Sequence, residues 1–348
     1  MGPGLESAHR RRVQHRPAGG RESSLVHEGA HRDLLTALIG VSLSDFAARW
    51  KRCRRLTRKA FREQTYAMSD FPRTTIGGRS LSRLAAGTNW FLGFSHQTQA
   101  RSKHIKEIMT RERIAGILEV FLRNGIDAVF GGAPGDQHLT DAIKDAEQRV
   151  GRSITRICIP TLMIKDGPEA LDQTARRLDE FARMGTHICM PHQNSTDPLI
   201  DRRNRRITNM DVYLKMIRER GMIPGLSTHT PDAPIYADET GLDVETYVQI
   251  YNAAGFLMQI EVDWVHRQIW NRKKPVLTIK PLAAGRLQPL EGLAFAWATL
   301  RDCDVVTVGT QSADEAEEVI EISRALFERR APRTELQRTR SKQSIDGK

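Results

Sequence analysis

Short apolar runs alternating with long amphipathic ones predict an α/β fold: a (β/α)8 TIM barrel with a short N-terminal floor hairpin and basic flexible tails. Three observations carry this expectation. Eight strand-like runs can be counted, seven of them lead into a clear helical stripe, and Gly125, Gly185 and Gly221 each follow a helix, where a glycine can take positive φ. A doubly wound open sheet shows the same alternation and stays open as the competing topology.

In chain order, Thr74 to Arg83 (TTIGGRSLSR) reads as the hairpin capping the barrel floor. The strands expected after it are Leu84–Thr88, Asp127–Phe130, Ile154–Pro160, Thr186–Met190, Met222–Leu226, Phe256–Glu261, Val276–Lys280 and Asp304–Val308. Helices fall between them. Ile114, Ile117, Leu118, Phe121 and Leu122 step by three and four, as do Leu171, Ala175, Leu178 and Ala182, and again Met210, Leu214 and Ile217. After Glu261 the chain offers only Val262–Arg272, one short helix before Pro275.

The 348 residues are 39% hydrophobic and 27% charged, an ordinary globular balance. No apolar run approaches the ~18 residues of a membrane-spanning helix. Four cysteines in so long a chain do not make a disulfide framework. Cys158, Cys189 and Cys303 lie in or beside apolar runs, where a reduced thiol packs as a small hydrophobe, and a reducing, cytoplasmic setting is expected.

The net charge of +11 sits at the ends. Residues 1–67 carry 14 basic and 6 acidic residues, residues 329–348 carry 7 and 2, and the body at 68–328 is net −2. A barrel domain over 68–328 between two basic appendages follows, and a polyanion partner does not, because the body is nearly neutral. His9 to Arg32 has no apolar period; residues 44–62 could form a basic amphipathic helix with Phe46, Trp50, Cys53 and Phe61 near one face. The N-terminal segment reads as a flexible extension, or as sequence translated ahead of a true start at Met68. Contact with nucleic acid or an anionic membrane is the alternative, disfavoured because no aromatic–basic RNA motif is present. Glu6, Glu22, Glu28, Asp33 and Asp45 argue against a targeting peptide.

In a (β/α)8 barrel, chemistry occurs where strands end and βα loops begin. The expected strand ends bring Asn89, His192, His229, Glu261 and Lys280 to one rim, with Trp90 beside Asn89. Five polar or ionisable side chains at five rim positions point to a small-molecule pocket, since buried charge is costly unless it is paired. Glu261 and Lys280 could also simply neutralise each other. Gly309, Thr310, Gln311 and Ser312 open the last helix, Ser312 and Glu315 have capping-box spacing, and a phosphate could sit on the N–H groups there with Arg286 nearby. Asp314, Glu315, Glu317 and Glu318 would repel it.

Thr74, Ile76, Gly77, Gly78, Leu81 to Leu84 and Gly87-Thr88, together with Lys280 to Leu287 (KPLAAGRL) and Val306 to Thr310 (VTVGT), resemble the aldo/keto reductase superfamily. The stretch Gly225 to Thr240 is also similar to uncharacterised bacterial proteins. The resemblance covers roughly residues 71–328 and implies a carbonyl reductase using NADP or NAD, with an Asp, Tyr, Lys and His tetrad. Only His192, ending the fourth strand, matches that tetrad. Phe130 to Asp136 (FGGAPGD) contains no Tyr, and Pro160-Thr161 stands where the Lys is expected.

The resemblance therefore implies a reductase-like enzyme with altered chemistry, with His192 as acid/base, Lys280 and Arg286 holding anionic groups and Trp90 flanking a flat ring. A metal-dependent hydrolase, isomerase or lyase would instead use His192, His229 and Glu261 as a facial ligand set for a divalent metal. A pseudo-reductase acting as a ligand sensor or scaffold is the third reading. Lys280 as a Schiff-base nucleophile requires a desolvated amine; Glu261 on the neighbouring strand opposes that, so no borohydride adduct is expected.

Overall fold

The computed structural model describes residues 71–336. The basic N-terminal segment, its amphipathic stretch at 44–62 and residues 337–348 lie outside the described residues.

Two short strands, β1 (Arg73–Ile76) and β2 (Arg79–Ser82), form the expected antiparallel hairpin. Its inward side chains, Ile76 and Leu81, are fully buried and pack with Ala85, Ala128, Ile157, Ile188, Val248, Leu277 and Val305. The hairpin thus plugs the barrel floor. The barrel strands are β3 (Leu84–Gly87), β4 (Ala128–Phe130), β5 (Thr155–Cys158), β6 (Ile188–Cys189), the pair β9 (Ile223–Pro224) and β10 (Leu226–Ser227), β11 (Tyr247–Ile250), β12 (Val276–Ile279) and β13 (Val305–Val308). A further small hairpin, β7 (Ile200–Asp201) with β8 (Arg206–Ile207), lies in the loop after β6.

All barrel pairings are parallel, and β13 pairs with β3. β6 pairs with β9, while β10 pairs with β11. Since β9 and β10 are one strand broken at Gly225, the eight-stranded ring closes there. The expected parallel barrel is present, and the open sheet is not.

Gly225 is needed at the break. A Cβ on it would come within 2.7 Å of Met190 Cγ and 2.9 Å of Thr246 Cγ2. The glycine N–H donates to the Cys189 carbonyl at 3.2 Å, and the next residue, Leu226, donates to the Thr246 carbonyl at 3.1 Å. The backbone therefore bridges both neighbouring strands within two residues, at an approach a larger residue would prevent.

The helices are α1 (Gln99–Ile108), an addition in the loop after β3, then α2 (Arg111–Arg123), α3 (Gln137–Val150), α4 (Pro168–Arg183), the one-turn α5 (Gln193–Thr196), α6 (Met210–Arg218), α7 (Ala233–Thr240), α8 (Val262–Trp270), α9 (Pro289–Thr299) and α10 (Ala313–Phe327). The α2 stripe is buried as expected. The α4 stripe is not the expected one: Ala170, Thr174, Leu178 and Phe181 face inward, and Leu171 is exposed. Thr174 joins the buried face because its hydroxyl donates to the Met163 carbonyl and accepts the Met163 N–H.

The sixth strand departs most from expectation. It is Tyr247–Ile250, fully buried, and not Phe256–Glu261. The latter is an irregular rim loop with Leu257 and Ile260 exposed, leading into α8. Among the described residues no helix is long and apolar enough to cross a membrane.

Gly225→Ala should lower the free energy of unfolding by about 1–3 kcal/mol, the usual range for forcing atoms into a filled site. Chemical denaturation measures this, and unchanged stability would show that ring closure tolerates a side chain there.

Candidate functional site

The strand ends open into a cleft of about 620 Å³. Its wall includes Asn89, Trp90, Phe94 and His96 from the loop after β3, His192 after β6, His229 after β10, Lys280 after β12, and Gly309, Thr310 and Gln311 after β13. Of the residues expected at the rim, these meet. Three do not line the cleft. Glu261 stands exposed at the N-cap position of α8, its side chain making no capping hydrogen bond, because the strand it was expected to end is a loop. Arg286 is exposed, with its guanidinium 4.0 Å from the Phe256 ring. Ser312 is turned into its own helix, where its hydroxyl accepts the Glu315 N–H.

His96 is the side chain the sequence reading passed over. Its Nε2 lies 3.0 Å from Lys280 Nζ. While Lys280 is an ammonium it can only donate, so the His96 nitrogen accepts and the ring proton sits on Nδ1. Both residues adopt positive φ, 56° and 62°, which is uncommon for residues with a Cβ and for Lys280 is followed by Pro281. The two loops are tied a second time, by Gln97 Nε2 donating to the Ala284 carbonyl at 2.6 Å. The polar stretch Ser95-His96-Gln97, just past Trp90 and without apolar period, was the signal that could have placed His96 on the rim.

Lys280 has no carboxylate against it. Among the described residues its one side-chain hydrogen-bond partner is His96. Burial pushes its amine down to about 8. Its charge in turn depresses the histidines around it. Burial first, then Lys280, His192 and His96, push His229 down to about 4. Burial and then Lys280 lower His96. Burial also lowers His192, with Asp197 opposing and Lys280 adding. At neutral pH His229 is therefore uncharged beside a cation.

The orientation of His192 follows from its cap. Its Nδ1 accepts the Asn194 N–H at 3.2 Å, so a neutral ring carries its proton on Nε2 and has a donor to spare. Asp197, on the 3₁₀ turn after α5, accepts the Thr228 hydroxyl at 2.5 Å and the His229 N–H at 3.2 Å, which fixes the turn carrying His229. Burial raises the Asp197 carboxyl, against those hydrogen bonds.

The wall at β13 is of a different kind. Trp90 lies against Gly309, where a Cβ would meet the indole Cδ1 at 2.8 Å. The hydroxyls of Thr307 and Thr310, 6% and 2% exposed, have no hydrogen-bond partner among the described residues. The Gln311 N–H, which an anion at this helix start would take, already donates to Glu315 Oε2 at 2.7 Å, and Glu318 lines the same wall. The expected phosphate position is thus filled by a carboxylate, and Arg286 is turned away from it.

The metal reading does not survive this geometry. Glu261 is remote from both histidines, and among the described residues no group of three His, Cys, Asp or Glu is placed to hold a metal ion. The same displacement of Glu261 removes the objection to a depressed Lys280.

No protein-family model and no curated protein matches the chain. Solved structures do. Two candidate aldo-keto reductases from Pseudomonas aeruginosa superpose with TM-scores of 0.55 and 0.53, at 14% and 16% identity, over 76% of this chain and 99% of each of theirs. The fold is aldo/keto reductase-like. An aldo/keto reductase from Klebsiella pneumoniae, in complex with NADP and acetate, aligns over 77% of this chain and 98% of its own at a TM-score of 0.45 and 13% identity, too distant to add to the assignment. On the shared barrel, the loop after β4 from Gly131 to Asp136 brings no tyrosine, and Asp136 spends its carboxylate on the Ala133 N–H at 2.8 Å.

Folding lowers the proton affinity of the Lys280 amine from its ordinary 10.5 to about 8. Stability therefore rises as pH climbs between those values, and at pH 7 the protonated lysine costs the fold on the order of 3 kcal/mol. Lys280→Met should be more stable than the natural protein at pH 7, by about 1–3 kcal/mol in chemical denaturation. A variant no more stable would show that the ammonium is not held at a cost.

Proposed function

We propose that the cleft is the active site of a carbonyl-reducing enzyme, an oxidoreductase in which Lys280 and His96 supply the proton that the missing tyrosine would give. The observation that carries this reading is the 3.0 Å contact between Lys280 Nζ and His96 Nε2 inside the cleft. A substrate carbonyl oxygen bound between His192 Nε2–H and the Lys280 ammonium meets two donors in a partly desolvated site, where such donors stabilise a developing alkoxide far better than water does. The ammonium, with an acidity near neutrality, then protonates that alkoxide, and the proton is replaced through His96.

The hydride source would be a nicotinamide dinucleotide, which when bound supplies a hydride to the carbonyl carbon. The β13 wall fits part of such a group. Trp90 against Gly309 offers a flat apolar face, and the unpartnered Thr307 and Thr310 hydroxyls suit a hydroxylated ring. Glu315 and Glu318 disfavour a phosphate at this helix, while Arg101 and Arg113, which donate to the Gln311 side chain and carbonyl, are the cations beside it, so the wall does not choose between NAD and NADP. The substrate class is a small, uncharged or carboxylate-bearing carbonyl compound.

Two measurements test this. NADH or NADPH should quench tryptophan fluorescence saturably in the natural protein, and Trp90→Phe should remove most of the change. Absence of any saturable change in the natural protein would contradict the reductase reading. For turnover of a small aldehyde with NADH, kcat/KM should be level below about pH 8 and fall tenfold per unit above it, because the acid must be protonated. Lys280→Met should lower kcat/KM by about 10²–10⁴-fold, with chemical denaturation of the same variant checking that it is folded. A rate that rises above pH 8 would contradict Lys280 as the acid.

A further inference from the structure

We propose that Lys280 is also a nucleophile, whose neutral amine condenses with an aldehyde or ketone in the cleft to form an imine. This rests on the cleft's taking a carbonyl compound and not on any dinucleotide.

The placement comes first. Lys280 ends β12 and its amine stands in the cleft against His96, with no carboxylate to hold it as an ion pair. The charged and titratable groups around it are the three histidines, His96, His192 and His229, each depressed by its charge, and Glu315 and Glu318 on the α10 side of the wall. Its backbone is fixed: a left-handed φ before Pro281 and the Gln97–Ala284 hydrogen bond hold the loops after β3 and β12 together at this point. Phe94, Ile279, Leu282 and Leu287 line the same cleft and suit the carbon body of a carbonyl compound.

Desolvation makes the free amine available. With the amine near 8, on the order of 300-fold more of it is neutral at pH 7 than for a lysine of ordinary basicity.

The condensation balances without an oxidant or reductant. The Lys280 lone pair attacks the carbonyl carbon, the C–N bond forms, and the carbonyl π pair moves to oxygen, which takes up the His192 Nε2 hydrogen bond. The nitrogen, now positively charged, gives a proton to His96 Nε2 at its side. His96 hands that proton to the alkoxide oxygen, giving the carbinolamine. The nitrogen lone pair then forms C=N as the C–O bond breaks, and the departing hydroxide takes the nitrogen's remaining proton, again by way of His96, and leaves as water. Lysine and carbonyl compound become imine and water. His96 acts as base and then as acid, so it is a proton carrier at the reacting nitrogen.

The test is reductive trapping on the full chain, without dinucleotide. Protein is incubated with benzaldehyde or, separately, acetone across pH 6–10 (about the range flanking the amine's midpoint), then treated with sodium borohydride and analysed by intact mass and peptide mapping. The expected result is one dominant adduct on Lys280, with yield rising through about pH 8. It is absent in Lys280→Arg and at least tenfold slower in His96→Gln, with both variants shown folded by their thermal transitions. Adducts spread over surface lysines, equal in the natural protein and in Lys280→Arg, would overturn the proposal, as would no adduct at all. Trapping at Lys280 in a protein that binds neither NADH nor NADPH would sink the reductase reading and leave this one standing; nicotinamide binding with no trapping would do the reverse.

Discussion

Side chains that are distant in the chain meet at this site because the ring of strands is closed, and closure runs through a fifth strand broken at Gly225. The chain there leaves β6 and joins β11 within a few residues, with Met190 on one side and Thr246 on the other at distances that admit no Cβ. Without that approach the sheet would have two edges, and His192 and His229, which stand on either side of the closure, would not share a cleft with Lys280. The hairpin under the floor serves the same end. Ile76 and Leu81 fill the bottom of the ring, so the open volume is confined to the rim.

Within the rim Lys280 stands among three histidines with no ion pair among the described residues. Lys280, His96, His192 and His229 line the cleft, Lys280 and His96 from the loops after the two strands that flank β13, and Glu315 and Glu318 line it from α10. A folded chain selected for stability alone would set one of those carboxylates against the lysine. Instead the ammonium is desolvated, leans on a histidine, and suppresses charge on its neighbours. Strain and destabilisation gathered at one place are characteristic of sites kept for chemistry. The chemistry indicated is that of carbonyl groups, because a donor pair at His192 and Lys280 and a titratable amine near neutrality serve both hydride acceptance and imine formation.

Much of the fold was legible in the residues. Seven of the eight strands, the floor hairpin and the α2 stripe follow from apolar period and glycine placement. The sixth strand was not legible, since Tyr247–Ile250 follows a charged stretch and carries the polar Gln249 inside, while the more apolar Phe256–Ile260 is partly exposed on the rim. Composition gives apolar character and does not say which apolar run is buried. That one displacement carried into the site. It had set Glu261 beside Lys280, making the lysine an ordinary ion-pair partner and offering a third metal ligand. In the fold Glu261 stands exposed at the start of α8, so the ion pair and the metal set both disappear. His192, His229 and Lys280 were found by reasoning from strand ends, and His96 was missed because it lies several residues into a loop, where sequence distance from a strand no longer gives direction.

The most direct measurement is the titration of Lys280 itself. In protein with isotopically labelled lysine, NMR assigned by comparison with Lys280→Arg follows its side-chain resonances through the alkaline range. A midpoint near 8 is predicted, moving upward in a variant that places a carboxylate beside it, such as His96→Glu. A midpoint above 10 would contradict the account, because the lysine would then be an ordinary solvated cation and the cleft would hold neither an acid nor a nucleophile.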